Sequence, residues 1–274
     1  IRDRFNGGDR WSDYTLIDKA LKSLTLSAMA KGNVAKDNEF VLDNYLKNMQ
    51  EYTGLKSSGQ SLMAYNLLNE IISIYRPHLQ VDSLRNEIKI LKKSGTYRAQ
   101  KRNLNNVLLR ESFIIEDYNY NLIEDLSTLN YNNLGWWNYQ MEELKKYDKK
   151  PDPFERQMGK RLLGYLNALI EDNIDIELEY PVVNDEALSF LWMLKTITEP
   201  KAFSYYLKII SDSSKYEDFG TALFYLEELL KNGYRDITQL YSLKHTALLR
   251  IMPEFNAIVN KYFKESRYDA IIEE

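Results

Sequence analysis

The chain has 274 residues, of which 44% are hydrophobic and 28% are charged. This balance is typical of a globular protein and not of a disordered one. Its 36 basic and 40 acidic side chains give a formal net charge of −4. Because it has no sustained basic stripe, the sequence argues against a dedicated nucleic-acid binder, whose affinity depends on neutralising phosphates. The absence of cysteine excludes disulfides, thiolate catalysis and cysteine-ligated metals within this chain.

No apolar run approaches the roughly 20 residues that a membrane-spanning helix needs, so we predict no transmembrane segment. The chain begins at Ile1 and not at methionine, from which we expect a leading segment to be missing. Removal of a secretion signal and truncation before expression would leave the same start. A lipid anchor on that segment therefore stays open.

Apolar residues recur at spacings of three and four along the first 80 residues, which predicts amphipathic helices. Such short helices are unstable alone in water, so each apolar stripe predicts a packing partner. The short polar breaks between the stripes favour antiparallel helical hairpins. The three stripes are Tyr14, Ile17, Leu21, Leu24 and Ala28; then Phe40, Val41, Tyr45, Leu46, Met49 and Tyr52; and then Leu62, Tyr65, Leu68, Ile72 and Tyr75.

The middle of the chain carries weaker helical signals. Leu104, Val107, Leu108 and Ile115 indicate one helix, and residues 122–129 indicate another. We interpret the Asn- and Tyr-rich stretch at 118–133 as a boundary. It separates residues 1–130, a region of helical hairpins that could form its own subdomain, from residues 131–274.

Helix boundaries are marked more clearly in the second half. Capping residues and first-turn prolines predict helix starts, and proline or glycine after an apolar run predicts helix ends. The acidic stretch 171–179 fails the spacing of a calcium-binding EF-hand loop, so we interpret it as a solvated loop between helices. The predicted starts are at Asp152–Pro153, Asn184, Asp236 and Pro253, and the predicted ends lie just before Pro200 and Gly233.

Pro200 and Gly233 lie 33 positions apart, close to the period of about 34 residues in tetratricopeptide repeats. Between them, apolar residues indicate two helices, with the small residue Ala222 on the second. From residue 136 to about residue 266 the chain resembles exported tetratricopeptide-like proteins, often lipoproteins, of the Bacteroidetes type. The motifs that carry this resemblance are Trp136-Trp137, Arg161-Leu162-Leu163-Gly164-Tyr165, Asp185-Glu186-Ala187-Leu188 and Pro253-Glu254-Phe255.

The resemblance implies an all-α fold in which antiparallel helix pairs stack as a tetratricopeptide-like right-handed superhelix over residues 131–274. It also implies a protein-interaction or scaffold role at an exported, periplasmic or outer-membrane-anchored location. A cytoplasmic location stays open. The resemblance supplies no catalytic residues.

The sequence contains no recognisable catalytic, cofactor or metal motif. No G-x-S-x-G elbow, P-loop or dinucleotide fingerprint occurs. His78 and His245 are the two histidines, and neither has a second histidine three or four positions away on a helix. We interpret His78 as a loop residue and His245 as part of a helix. We therefore predict no catalytic residues, no cofactor and no metal.

Aromatic residues are unusually frequent, with 21 Tyr, 10 Phe and 4 Trp. Helical repeats use such rings as wedges between helices, which is the interpretation we favour for the paired tryptophans. Because adjacent helical residues diverge by about 100°, one of the two could instead face a groove. The candidate aromatic residues of a ligand groove are Trp136, Trp137, Tyr139, Tyr205 and Tyr206.

Three functions remain as hypotheses. The leading one is a non-enzymatic module that offers a concave helical surface to a protein or peptide partner, because stacked helix pairs form such surfaces. The second is a carbohydrate-binding component of a cell-surface uptake system, which requires several exposed aromatic faces beside Asn or Asp in one groove. The third is a hydrolase with a carboxylate-only site, which requires two acids from different helices in one pocket and at least one raised pKa.

Overall fold

A computed structural model describes residues 14–263, which form thirteen α-helices, one short 3₁₀ helix and no β-strand. The all-helical prediction is confirmed for this range. None of these helices combines the length and the apolar character needed to cross a membrane. The helices are α1 Tyr14–Ala30, α2 Asn38–Ser57, α3 Ser61–Tyr75, α4 Asp82–Lys93, α5 Gly95–Thr128, α6 Leu134–Tyr147, α7 Pro153–Glu179, α8 Asp185–Thr198, α9 Phe203–Lys215, α10 Phe219–Lys231, α11 Ile237–Ser242, α12 Ala247–Ile251 and α13 Pro253–Phe263.

The predicted helix boundaries of the second half are confirmed. Helix α7 begins at Pro153 and α13 at Pro253. Asn184 caps α8, because its side-chain oxygen accepts a hydrogen bond from the backbone N–H of the third helical residue at 3.1 Å. Asp236 caps α11 in the same way at 2.9 Å. Gly233 follows the end of α10 with a φ of +102°, a left-handed conformation that glycine adopts without steric cost.

Two predictions for the middle of the chain are wrong. The two helices predicted around Leu104 and residues 122–129 are one 34-residue helix, α5. The Asn-rich stretch is part of this helix as far as Thr128. Asn119 and Asn121 donate their amide N–H groups to carbonyls four residues earlier, and the burial of Tyr118 fixes this part of the helix against the core. The acidic stretch is also helical and forms the end of α7. Ile170 and Ile174 are buried there and continue an apolar face along that helix.

The first predicted stripe forms a helix, but its apolar side chains do not face the core. Tyr14 is 82% exposed, and Leu24 is 64% exposed. The buried residues of α1 are Ser23 and Leu26. Helix α1 therefore packs against α3 through a different face from the one its apolar spacing predicts.

The chain divides into two compact units. Unit 1 comprises residues 1–113 and 151–158, and unit 2 comprises residues 114–150 and 159–274. In unit 1, α3 packs against α1, α2 and α4, and its apolar side chains form much of a core that includes Leu68, Ile71 and Tyr75. The third predicted stripe is therefore a core element of this unit.

In unit 2 the central helices α8, α9 and α10 pack one against the next, and each end of this row contacts a helix more distant in the chain. Helix α8 packs against α6 and α9, α9 packs against α10, and α10 packs against α13. Ala222 on α10 is fully buried beside Ile209 and Ile210 of α9 in one core cluster. A small side chain at this position lets two helices approach closely, as the sequence analysis expects for a helix pair.

Gly159 of α7 provides a test of close packing in unit 2. A Cβ atom added at Gly159 would lie 2.5 Å from Cβ of Tyr147 on α6, and that atom cannot move independently of the α6 backbone. We expect Gly159→Ala to destabilise unit 2 by about 1–3 kcal/mol, as measured by urea unfolding followed by circular dichroism.

Gly54→Ala in α2 is the matched control, because an added Cβ atom there meets no atom within 4 Å. Replacing an uncrowded helical glycine by alanine should increase stability by about 0.5–1 kcal/mol. Equal stability changes in the two variants would contradict the close contact between α6 and α7.

Candidate functional site

A pocket of about 660 Å³ lies in unit 2, between the first turns of α8 and α10 and the last turn of α9. We call it the acidic pocket, because four carboxylate residues line it and no lysine or arginine does. Four aromatic residues complete most of its wall. The eight residues are Asp185, Glu186, Asp212 and Asp218, with Tyr131, Tyr216, Phe224 and Tyr225.

Helix capping brings the acids to this pocket. Because Asn184 is the N-cap of α8, Asp185 and Glu186 occupy its first turn, where the helix dipole favours negative charge. Asp218 is the N-cap of α10 and accepts a hydrogen bond from the backbone N–H of Thr221 at 3.1 Å. The local sequence thus fixes three of the four acids at helix starts.

Asp185 is the best neutralised of the four acids. Its carboxylate accepts a hydrogen bond from the hydroxyl of Tyr216 at 2.8 Å and from Nζ of Lys215 at 3.1 Å. These two hydrogen bonds lower the pKa of Asp185 below its usual value. Lys215 Nζ also lies 4.6 Å from the ring centroid of Tyr216. Asp185 is therefore ionised, and its carboxylate already accepts hydrogen bonds from the protein itself.

Asp212 differs from Asp185. It is partly buried, and its carboxylate forms no hydrogen bond or ion pair with any residue in the described range 14–263. Burial raises its pKa, and the negative charge of Asp185 raises it further, although Lys215 and His245 oppose both effects. The pocket therefore holds a carboxylate whose charge is poorly balanced by the protein.

Phe224 and Tyr216 are the most exposed aromatic residues of the pocket, each with 59% of the residue exposed, and the hydroxyl of Tyr216 already donates to Asp185. The ring of Phe224 packs edge to face against Tyr225, with centroids 5.1 Å apart. Tyr225 is buried and in turn contacts Tyr206. The hydroxyl of Tyr131, which also lines the pocket, donates to the backbone carbonyl of Glu186 at 2.7 Å. The aromatic wall is thus anchored in the core of unit 2.

The candidate aromatics of α6 lie elsewhere in unit 2. Trp137 is fully buried, and its indole N–H donates to Asp125 at 2.7 Å. Trp136 packs edge to face on Trp137 at 4.7 Å, so the two rings contact each other despite their divergence on the helix. Tyr139 is 57% exposed. None of the three lines the acidic pocket.

The candidate aromatics of α9 also lie outside the lining of the acidic pocket. Tyr205 donates its hydroxyl to both carboxylate oxygens of Glu171 at 2.9 Å. Tyr206 is buried, with its hydroxyl 3.4 Å from the carbonyl of Thr196. Tyr206 supports the pocket wall only indirectly, through Tyr225.

Asp212 and Phe224 were not among the predicted site residues. Asp185 and Glu186 appeared only in a motif of the family resemblance, and no acids were named for the carboxylate-only site. The three-dimensional neighbours of Asp212 come from another helix. No spacing within the sequence reveals that convergence.

The histidines form no metal site. His78 contacts the carbonyl oxygen of Leu26 through Nε2 at 2.9 Å. His245 lies in the turn between α11 and α12 with a φ of +62°, so its predicted helical position is wrong. Within residues 14–263, no group of three or more His, Asp or Glu side chains is arranged to hold a metal ion.

Comparisons of the chain with models of protein families, with curated proteins and with solved structures gave no match. The site is therefore interpreted from its own geometry.

The charge of Asp185 contributes to the raised pKa of Asp212, which generates a testable prediction. Asp185→Asn should lower the pKa of Asp212 towards its usual value, because it removes a like charge and frees Lys215 to act on Asp212 alone. The measurement is a titration of the carboxyl carbon of Asp212 by NMR.

Asp43→Asn is the matched control, because it removes one surface carboxylate in unit 1 that pairs with Lys47. It should leave the titration of Asp212 unchanged. A pKa of Asp212 that is the same in the native chain and in Asp185→Asn would show that the two carboxylates do not interact.

Proposed function

We propose that unit 2 is a non-enzymatic binding module for a protein or peptide partner and that the acidic pocket receives a basic side chain of that partner. The observation that carries the proposal is the charge of the pocket. Its lining has four carboxylate residues and no basic residue, and within residues 14–263 a lysine from outside the lining pairs with Asp185 alone. A lysine or arginine side chain would supply the missing positive charge.

Asp212 and Phe224 are the residues best suited to that role. A cation beside Asp212 would relieve both the cost of its burial and its repulsion from Asp185. The exposed ring of Phe224 can bind the same cation through its face or pack against an aliphatic stem. Carboxylate and ring together favour a long basic side chain over a neutral sugar, which gains no Coulomb attraction from the four acids.

The packing of unit 2 supports the tetratricopeptide-like interpretation of this binding module. Helices α9 and α10 form one pair bounded by Pro200 and Gly233, and the preceding helix α8 packs against α9. We infer that these helices belong to a tetratricopeptide-like right-handed superhelix, which would present the pocket on a groove for an extended peptide. The resemblance extends this proposal to an exported protein, periplasmic or outer-membrane-anchored, with its partner in the same compartment; a cytoplasmic location is the alternative.

A hydrolase with a carboxylate-only site is the second candidate. It is supported by two acids from different helices whose pKa values shift in opposite directions, upward for Asp212 and downward for Asp185. We favour binding because Asp185 already accepts hydrogen bonds from Lys215 and Tyr216 and is not free to activate a water molecule. Turnover of a panel of fluorogenic glycosides and esters that Asp212→Asn abolishes would support the enzyme instead.

Selection of peptides from a random display library on the native chain tests the binding proposal. We expect the selected peptides to share a lysine or arginine. Asp212→Asn and Phe224→Ala should each weaken binding of a selected peptide about tenfold, because each removes a main contact for the basic side chain. Isothermal titration calorimetry measures this change.

Two control variants match these substitutions. Asp43→Asn removes a carboxylate from unit 1, and Tyr139→Ala removes an exposed ring that does not line the pocket. Both should bind the selected peptide as tightly as the native chain does. Selection of peptides without basic residues would contradict the proposal. So would retention on a glycan array that depends on Phe224, which would establish the carbohydrate-binding alternative.

A further inference from the structure

A second pocket of about 570 Å³ lies in unit 2 and has the opposite charge. We call it the basic pocket. It is lined from α8, α9, α11 and the turn that precedes α12, and its charged lining residues are three lysines, Lys208, Lys215 and Lys244, against one carboxylate, Asp212. Asp212 is the residue that lines both pockets. An excess of amines at one site is unexpected in a chain whose net charge is −4.

Lys208 is held in place by two aromatic rings, and its positive charge also contributes to lowering the pKa of Glu171. Its Nζ lies 5.0 Å from the ring centroid of Tyr205 and 5.4 Å from that of Trp192, within the range of cation–π contacts. It forms no ion pair with a residue of the described range. The two rings therefore restrict the ammonium group while leaving its N–H donors available.

The turn that carries Lys244 is strained and fixed. His245 adopts a φ of +62°, which is uncommon for residues other than glycine and persists where the surrounding structure imposes it. Ser211 of α9 donates its hydroxyl to the backbone carbonyl of Lys244 at 3.0 Å. This hydrogen bond joins the turn to α9, the helix that carries Lys208 and Lys215. The hydrogen bond from Ser211 therefore holds Lys244 near α9, the helix on which the other two lysines lie.

We propose that the basic pocket binds an oxyanion, either a phosphoryl group or a carboxylate. Lys208 and Lys244 would donate to its oxygens as charge-assisted hydrogen bonds. Lys215 is held by Asp185 at 3.1 Å and adds positive potential beside them. The proposal does not rest on the proposed function, because it requires no peptide. Asp212 lines this pocket as well and its negative charge opposes an anion there, but three lysines face it. The two pockets could nevertheless bind neighbouring groups of one partner.

Trp192 provides a direct reporter of occupancy. Trp192 lines the basic pocket, and its buried indole N–H has no acceptor within residues 14–263. Its NMR resonance can be identified by its loss in Trp192→Phe. We expect inorganic phosphate, added at constant ionic strength against chloride, to shift this resonance saturably at concentrations below about 20 mM. The indole resonances of Trp136 and Trp137, which do not line the pocket, should not move.

Lysine variants and a second anion complete the test. Lys208→Gln and Lys244→Gln should each weaken phosphate binding at least about fivefold, whereas Lys201→Gln, an exposed lysine outside the lining, should not. Acetate in place of phosphate distinguishes the two sources, since tighter binding of acetate identifies a carboxylate ligand. The proposal is overturned if neither anion produces a saturable shift, or if the shift is unchanged in both lysine variants.

Discussion

The burial of α8 is the constraint on which unit 2 depends. Ten of its fourteen residues are buried, from Ala187 to Thr198, so this helix is enclosed on nearly every side. A helix in this position cannot leave charges unpaired. Lys195, only 1% exposed, is neutralised by Glu171 of α7 at 2.8 Å and by Glu199 at 3.3 Å. Tyr205 of α9 also donates to Glu171, so one buried charge connects three helices.

The acidic pocket lies where that enclosure ends. Asp185 and Glu186, in the first turn of α8, are exposed, whereas the residues that follow are buried. The ends of α9 and α10 meet this turn and add Asp212 and Asp218. The core therefore positions the acids rigidly while leaving them in contact with solvent. A site supported by packed helices in this way is preorganised for a ligand.

A comparison of Glu171 with Asp212 shows why the pocket is a candidate site. Burial raises the pKa of Glu171, but the hydrogen bonds from Lys195 and Tyr205 outweigh it, so that the pKa is lowered. The carboxylate of Asp212 has no such hydrogen bonds within residues 14–263, and both burial and the charge of Asp185 raise its pKa. Poorly balanced carboxylates oppose folding at neutral pH, because ionisation is less favourable in the folded chain. Such a cost is a signature of a binding or catalytic position.

Local signals in the sequence predicted the helix starts and ends, because a cap depends on a few adjacent residues, as at Asn184, Asp236 and Gly233. Predictions that depend on distant contacts were less successful. The stripe of Tyr14 and Leu24 has the spacing of a core face, yet tertiary packing buries Leu26 instead. The site escaped prediction for the same reason. Nothing in the sequence around Asp212 or Phe224 distinguishes either residue, and the two line one pocket only because α8, α9 and α10 pack together.

The most direct test of a cation site in the acidic pocket is the pKa of Asp212 with and without a bound cation. Carbon NMR can follow this carboxyl group while the chain is saturated with a lysine- or arginine-containing peptide. A positive charge beside Asp212 must lower its pKa, because it favours the ionised form, and the peptide must bind more tightly once Asp212 is ionised. A pKa of Asp212 that stays unchanged in the saturated complex would contradict the account.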